Sequence, residues 1–251
     1  MQLKKEWYQG VESRTSRRTY KNEVLGQIEV GKMTQLINAV NEESGLHIQF
    51  IEEGYEVFDG FKASYGVIKD ARSFIALVGR VSQEDLKNRL GYYGEMIVLE
   101  CTHLGLGTCW IGGTYDKEKC KKSIQLNSDE ELIGIIAVGY VSENKTFKEK
   151  VISRLAQNSK IFNQMLVTKD EQIPTWVTKG IESALKAPSA LNKKPVAYAF
   201  KENEIKVFTT KTNQGYEQID LGISMLHFEL AAQSEGHQGT WQRVNSEYIY
   251  K

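Results

Sequence analysis

The chain has 251 residues, 41% hydrophobic and 25% charged with only 3 Pro, an ordinary globular composition that excludes a disordered or low-complexity protein and suits one large domain or two smaller ones. Its 32 basic and 32 acidic residues cancel, so no global field holds a nucleic-acid backbone or an anionic membrane, and any anion must be bound locally. Met1 to Gly10 has no apolar signal core, and the greasy stretch Ile133 to Val141 is far shorter than the roughly 20 residues that span a bilayer. A cytoplasmic protein without nucleic-acid or membrane partners is expected.

A helix is predicted around Trp7, Tyr8 and Val11, followed by the polar segment Glu12 to Asn22. A second covers Met33 to Asn41, where Met33, Leu36, Ile37 and Val40 fall on one face, and Gly45 stops it. Leu46 to Ile51 and Arg72 to Val78 read as strands, Val67 to Asp70 leading into the latter. Leu90 to Leu104 is a helix with Met96, Ile97, Cys101 and Leu104 as its apolar stripe, ending in a glycine-rich turn at Gly105 to Gly107. Ile133 to Tyr140, apolar and without alternation, is a buried strand. The charge-rich stretch Lys145 to Lys160 is the predicted connection between halves of 1–160 and 161–251. Pro174 then opens a helix with Val177, Ile181, Ala184 and Leu185 on one face. Val196 to Phe200 and Ile205 to Thr209 are strands, and Leu221 to Ala232 is again a helix.

Helix, strand, strand, helix thus recurs. A gapless shift of 131 residues carries Leu90-Gly91 onto Leu221-Gly222, Leu99 onto Leu230, Gly105 onto Gly236 and Trp110 onto Trp241. Glycine and tryptophan matches are restrictive, so an internal repeat is expected.

Cys101, Cys109 and Cys120 have no CxxC spacing, and the four histidines are scattered, so neither a disulfide framework nor a metal site is expected. The cysteines read as small packing residues.

Three clusters carry potential chemistry. Arg14-Thr15-Ser16-Arg17-Arg18 offers guanidinium forks and hydroxyls, the donors that a phosphomonoester and a polyol require. Taken alone it reads more readily as a solvated basic turn. Pro188-Ser189-Ala190-Leu191-Asn192 breaks a helix and lets Asn192 offer a donor and an acceptor to a heterocycle edge. Gly105-Leu-Gly-Thr-Cys-Trp-Ile111-Gly112-Gly113 is neither a Walker loop nor a Rossmann fingerprint, since it follows a helix. Its paired glycines let backbone N–H groups approach a flat ligand.

Together these clusters resemble the FMN-dependent nitroreductase family, which pairs an R-x-S-x-R-x-[FY] motif, here Arg14 to Tyr20, with a P-S-x-x-N loop and a G-L-G-T-x-W-I-G segment. Asp70-Ala71 and Ile136 to Tyr140 resemble two further family features. One departure stands out: in the family the P-S-x-x-N loop precedes the G-L-G-T-x-W segment, whereas here it follows. Its expected place, Glu42 to His47, has no such motif, and the second half has no R-x-S-x-R and lacks paired glycines after Trp241.

Family members are homodimers with FMN at the interface. The resemblance therefore implies an α+β nitroreductase-like fold whose two similar halves form a pseudo-dimer on one chain, with one complete flavin site and one degenerate site. Position by position, it assigns Arg14, Thr15, Ser16 and Arg18 to the FMN phosphate and ribityl chain. Pro188, Ser189, Ala190, Leu191 and Asn192 are assigned to the isoalloxazine, with the backbone of Ile111, Gly112 and Gly113. A basic residue after the last strand of the first half is expected from Lys148, Lys150 and Arg154, Lys148 first. The implied activity is ping-pong transfer of hydride from NADH or NADPH to a small nitroaromatic, quinone or enone, with no catalytic acid or base in the protein. The alternatives are a flavin-binding protein without turnover and a dehalogenase or flavin-fragmenting activity on the same scaffold. The expected assembly is a monomeric pseudo-dimer or a weak homo-oligomer.

Overall fold

In chain order the helices and strands are α1 Lys5–Ser13, α2 Gln27–Ser44, β1 Gln49–Ile51, a 3₁₀ turn Tyr55–Phe58, β2 Ser73–Arg80, α3 Leu86–His103, β3 Gly107–Ile111, α4 Lys117–Ser123 and β4 Glu130–Gly139. They continue with α5 Phe162–Met165, α6 Thr175–Ala184, β5 Val196–Lys201, β6 Glu204–Thr209, α7 Glu217–Ser234, β7 Trp241–Val244 and β8 Glu247–Tyr250. The computed structural model describes residues 1–59, 68–142, 162–168 and 172–251. Among these, no helix is long and apolar enough to cross a membrane.

The chain divides into two compact units, one of Met1, Ser13–Leu86 and Ile97–Leu155, the other of Gln2–Glu12, Lys87–Met96 and Ala156–Lys251. Two pieces of the first 160 residues, α1 and the opening turns of α3, therefore belong with the second unit.

The first unit contains a four-stranded antiparallel sheet in the order β1-β2-β4-β3. Strand β2 is buried along almost its whole length, as is the second half of β4, so the pair reads as continuous apolar sequence because both faces are covered. Phe74, Ala76, Val78, Ile135 and Ala137 pack with Val57, Cys109 and Tyr115 in one core cluster. The second unit has a sheet in the order β5-β6-β8-β7, also antiparallel. Its core joins Tyr198, Phe200, Val207, Phe228 and Tyr250 to Val177 and Ile181 of α6.

The two sheets are wired identically: the first strand pairs with the second, and the fourth lies between the second and third. In each half a helix joins the second strand to the third. The 131-residue shift carries both ends of α3, Leu86 and His103, onto both ends of α7, Glu217 and Ser234. It also carries Ser73, where β2 starts, onto Glu204, where β6 starts. The halves differ before the sheets. Helix α2 reaches β1 through Gly45–Ile48, whereas α6 and β5 are separated by the longer stretch Leu185–Pro195. The Pro-Ser-x-x-Asn loop sits in that stretch, and the first half has no comparable length of chain in which to place it.

Within the second unit the opening turns of α3 meet α7 reciprocally. A Cβ on Gly91 would collide with the Ile219 carbonyl, and a Cβ on Gly222 would collide with that of Asn88. Gly91 and Gly222, like Asn88 and Ile219, are repeat equivalents, so the two contacts are one contact seen twice. Only glycine permits so close a backbone approach.

Helix α7 is buried on every side from Ile219 to Ala232, yet it carries Asp220, Ser224, His227 and Glu229. Polar groups in such a place require partners. His227 sets Nε2 2.9 Å from Glu95 Oε1 and Nδ1 3.2 Å from the Ser183 carbonyl, and both side chains of the His227–Glu95 pair are fully buried. Glu229 accepts from the Tyr92 hydroxyl at 2.7 Å and from Gln233 Nε2 at 3.2 Å.

Candidate functional site

In the first unit the arginine-rich segment after α1 lies along the sheet. Ser16 bridges Thr108 of β3 in parallel register, and the Arg17 N–H donates to the Thr108 carbonyl at 2.8 Å. Two residues on, the Arg18 carbonyl accepts from Lys69 N–H at 2.8 Å, and the Tyr20 N–H donates to the Lys69 carbonyl at 3.0 Å. The Lys21 N–H then donates to Tyr140 O at 2.8 Å, beyond the end of β4. The segment is thus fixed by backbone bonds to three separate stretches of chain, and the arginine cluster and the glycine-rich cluster are brought side by side.

The three arginines take different positions. Arg17 is buried, and its Nη2 donates to the Ser142 carbonyl at 2.8 Å. It packs where Gly107 has no side chain; a Cβ there would strike Val141 and crowd Arg17. Arg14, Thr15, Ser16 and Arg18 are half-buried. Tyr20 braces the segment from below: its hydroxyl donates to Arg17 O at 2.8 Å and lies 3.3 Å from Ala137 O.

The glycine-rich segment is not a simple turn. Gly105, left-handed at φ 76°, follows the end of α3, and Gly107 to Ile111 form strand β3 against β4. Ile111 is buried opposite Ile135, and the chain bends away at Gly112, half-buried, and Gly113, exposed. From Thr108 to Gly112 is roughly 13 Å along an extended chain, so an elongated ligand could meet hydroxyl and guanidinium donors at one end and bare backbone at the other. Lys148, Lys150 and Arg154 lie outside the described residues.

In the second unit the Pro188–Asn192 loop closes as a short 3₁₀ turn, Ala190–Asn192, with Leu191 at φ 53° and Asn192 at φ 55°. Positive φ at consecutive non-glycine residues is costly and persists only where the surroundings enforce it. The Asn192 N–H donates to Ser189 O at 2.9 Å, and Ser189 Oγ accepts from the Lys194 N–H at 3.0 Å. Ala190 is gripped by Asp220 and Asn213. Leu191 and Asn192 are exposed. Behind the loop is a small cleft lined by Ala184, Pro188, Ser189, Lys194, Asp220 and Ser224 among others.

A family model described as "Putative TM nitroreductase" matches residues 6–232. The chain belongs to that family. Its fold is similar to that of a "putative nitroreductase" from Thermotoga maritima MSB8, at 20% identity and a TM-score of 0.64, with 97% of this chain and 92% of that chain covered. This nitroreductase-family chain also aligns over 59% of its length with 96% of an FMN-dependent nitroreductase from Clostridium difficile R20291, at 16% identity and a TM-score of 0.44. It aligns over 57% of its length with 92% of a nitroreductase with bound FMN from Bacteroides fragilis NCTC 9343, at 16% identity and a TM-score of 0.45. No curated protein matches it.

In this nitroreductase-family chain all three cysteines are buried thiols outside any disulfide. Burial, reinforced by Glu100 beside Cys101 and by Asp116 beside Cys120, pushes both thiols up to about 12, so neither supplies a thiolate at neutral pH. Among the described residues no group of three His, Cys, Asp or Glu could hold a metal ion. Sequence reasoning missed Arg17 and Tyr20 as braces and Asp220 and Asn213 as the grip on the loop. A signal for Asp220 was present, since an aspartate set among Ile219, Leu221 and Ile223 needs a reason.

Proposed function

We propose that the chain is an FMN-dependent NAD(P)H oxidoreductase that reduces small nitroaromatics, quinones or enones in the cytosol, with one flavin per chain. The observation that supports this reading is the seating of the Arg14–Arg18 segment on β3 through Ser16 and Thr108, on the same strand whose end carries Ile111. The donor set fits FMN: Arg14 and Arg18 match a phosphate with planar forks, and Thr15 and Ser16 match ribityl hydroxyls. Ile111, Gly112, Gly113 and the loop from Pro188 to Asn192 are the residues proposed to meet the ring. The loop occurs in one half and the arginine motif in the other, which supports an internal pseudo-dimer with a single complete site.

When bound, the flavin supplies the redox chemistry, reduced by NADH or NADPH and reoxidised by the acceptor. The protein's part is to bind, orient and tune. Protein purified after growth with riboflavin is expected to be yellow and to bleach anaerobically on adding NADH or NADPH, with colour returning when menadione or a nitroaromatic is added. Bound flavin that no nicotinamide bleaches would mark a protein without turnover, and a colourless protein that takes up no FMN would end this reading.

A further inference from the structure

Ala190 stands at the centre of the Pro188–Asn192 loop, and a single side-chain clasp holds both of its backbone groups. Its N–H donates to Asp220 Oδ1 at 2.9 Å, and its carbonyl accepts from Asn213 Nδ2 at 2.9 Å. The same Nδ2 donates its other hydrogen to Asp220 Oδ2 at 2.8 Å. Asn213 is completely buried and Asp220 nearly so. The amide orientation is fixed, because the reverse would turn an oxygen toward the Ala190 carbonyl and the Asp220 carboxylate. Asn213 is anchored in turn, its N–H donating to Glu217 Oε2 at 2.8 Å in the first turn of α7, which also accepts from Gly215 N–H at 3.1 Å.

The two residues directly after Ala190 hold the left-handed backbone, Leu191 and Asn192. Leu191 is 68% exposed, so packing of its own side chain does not impose that conformation. The clasp fixes the residue before it, and the Ser189 bonds to Asn192 and Lys194 close the turn after it. Burial holds the Asp220 carboxyl above its ordinary range, helped by the Glu217 charge and outweighing the Ala190 and Asn213 hydrogen bonds and the Lys194 charge, which favour the ionised form.

We propose that Asp220 and Asn213 are positioning residues that hold the Pro188–Asn192 loop in the shape that presents Asn192 to the flavin ring. This rests on the FMN reading above. Neither residue belongs to the loop, and neither is expected to touch the ligand.

The test compares the full-length wild type with Asp220→Asn, Asn213→Ala and Asn192→Ala. Each apoprotein is titrated with FMN, the visible flavin spectrum of the complex is recorded, and the melting temperature is measured without FMN. Asp220→Asn keeps the size but sets an amide NH₂ against Asn213 Nδ2; Asn213→Ala removes the clasp outright and serves if the first variant fails to fold. Both are expected to weaken FMN binding by about tenfold or more, as Asn192→Ala does, and to shift the flavin band in the same sense. A merely structural role would lower the melting temperature and leave the affinity and spectrum of the folded fraction unchanged. If Asn192→Ala weakens FMN while both clasp variants bind with wild-type affinity and spectrum, the clasp assignment is overturned and the FMN reading stands. If the wild type takes up no FMN, both fall.

Discussion

Replacing His227 with alanine is expected to destabilise the chain by about 3–5 kcal/mol, the largest effect of any substitution discussed, because it strips a fully buried carboxyl, Glu95, of its imidazole partner. Nδ1 of His227 faces the Ser183 carbonyl and must donate there, so one proton lies between Nε2 and Glu95 Oε1 whichever atom carries it. Removing the ring takes the imidazole bond away from a carboxyl whose side chain is fully buried. The internal repeat supplies the control: the positions equivalent to Glu95 and His227 are Leu226 and Met96, both buried. Glu95→Leu combined with His227→Met is therefore expected to stay within about 2 kcal/mol of wild type, since a buried pair exchanged for apolar side chains of similar size is often neutral. Urea unfolding of the two single variants and the double variant measures the difference. A double variant that loses as much as the sum of the singles would show that Glu95 and His227 do not act as a pair.

A second large effect concerns Glu229. Burial pushes its carboxyl up to about 7, although the Tyr92 hydrogen bond pulls the other way. The folded chain therefore keeps a proton that the unfolded chain releases near the ordinary value of 4.5. Between those values the native state binds more protons, so stability falls as pH rises through this window, and the full cost is present above pH 7. Glu229→Gln cannot ionise and still accepts from Tyr92, with Gln233 turning its amide to suit. The variant is expected to unfold with near wild-type stability at pH 4.5 and to be more stable than wild type at pH 8, by up to about 3 kcal/mol. Denaturation midpoints at the two pH values check this; the same difference at both would show that Glu229 is already ionised in the folded chain at low pH.

Most of the scaffold was legible because its elements carry strong periodicity. Helices α3 and α7, the buried strand β4 and the pair β5 and β6 all stand where apolar runs of the right length occur. The misses have separate causes. Strand β3 has no sequence assignment beyond the Gly105–Gly107 turn, because Gly107-Thr-Cys-Trp-Ile111 has weak strand propensity at its start; pairing with β4 from Gly139 to Ile135 decides it. Helix α4 is short and charged, although Asp116 caps it by accepting from the N–H groups of Glu118 and Lys119, a signal that was available. The hairpin of β7 and β8 turns at Asn245-Ser246, both at positive φ, which an Asn-led two-residue turn announces. Helix α2 begins at Gln27, before Met33, because its first turns are largely exposed and give no apolar stripe to read.

The candidate site was legible where residue type alone suffices. Two arginines and two hydroxyls in one short segment, and an asparagine loop after a helix, can be seen in one dimension. The grip of Asp220 and Asn213 on Ala190 cannot, since it joins residues far apart in the chain through backbone atoms that have no sequence signature.

The central claim is that one FMN binds per chain, held through its phosphate by Arg14 and Arg18. Titration of the apoprotein with FMN, followed by flavin fluorescence, tests it most directly. The account expects saturation at one equivalent per chain, with Arg14→Ala and Arg18→Ala each weakening that single event by about 1.5–3 kcal/mol. Saturation at two equivalents, or a curve that neither substitution alters, would contradict it.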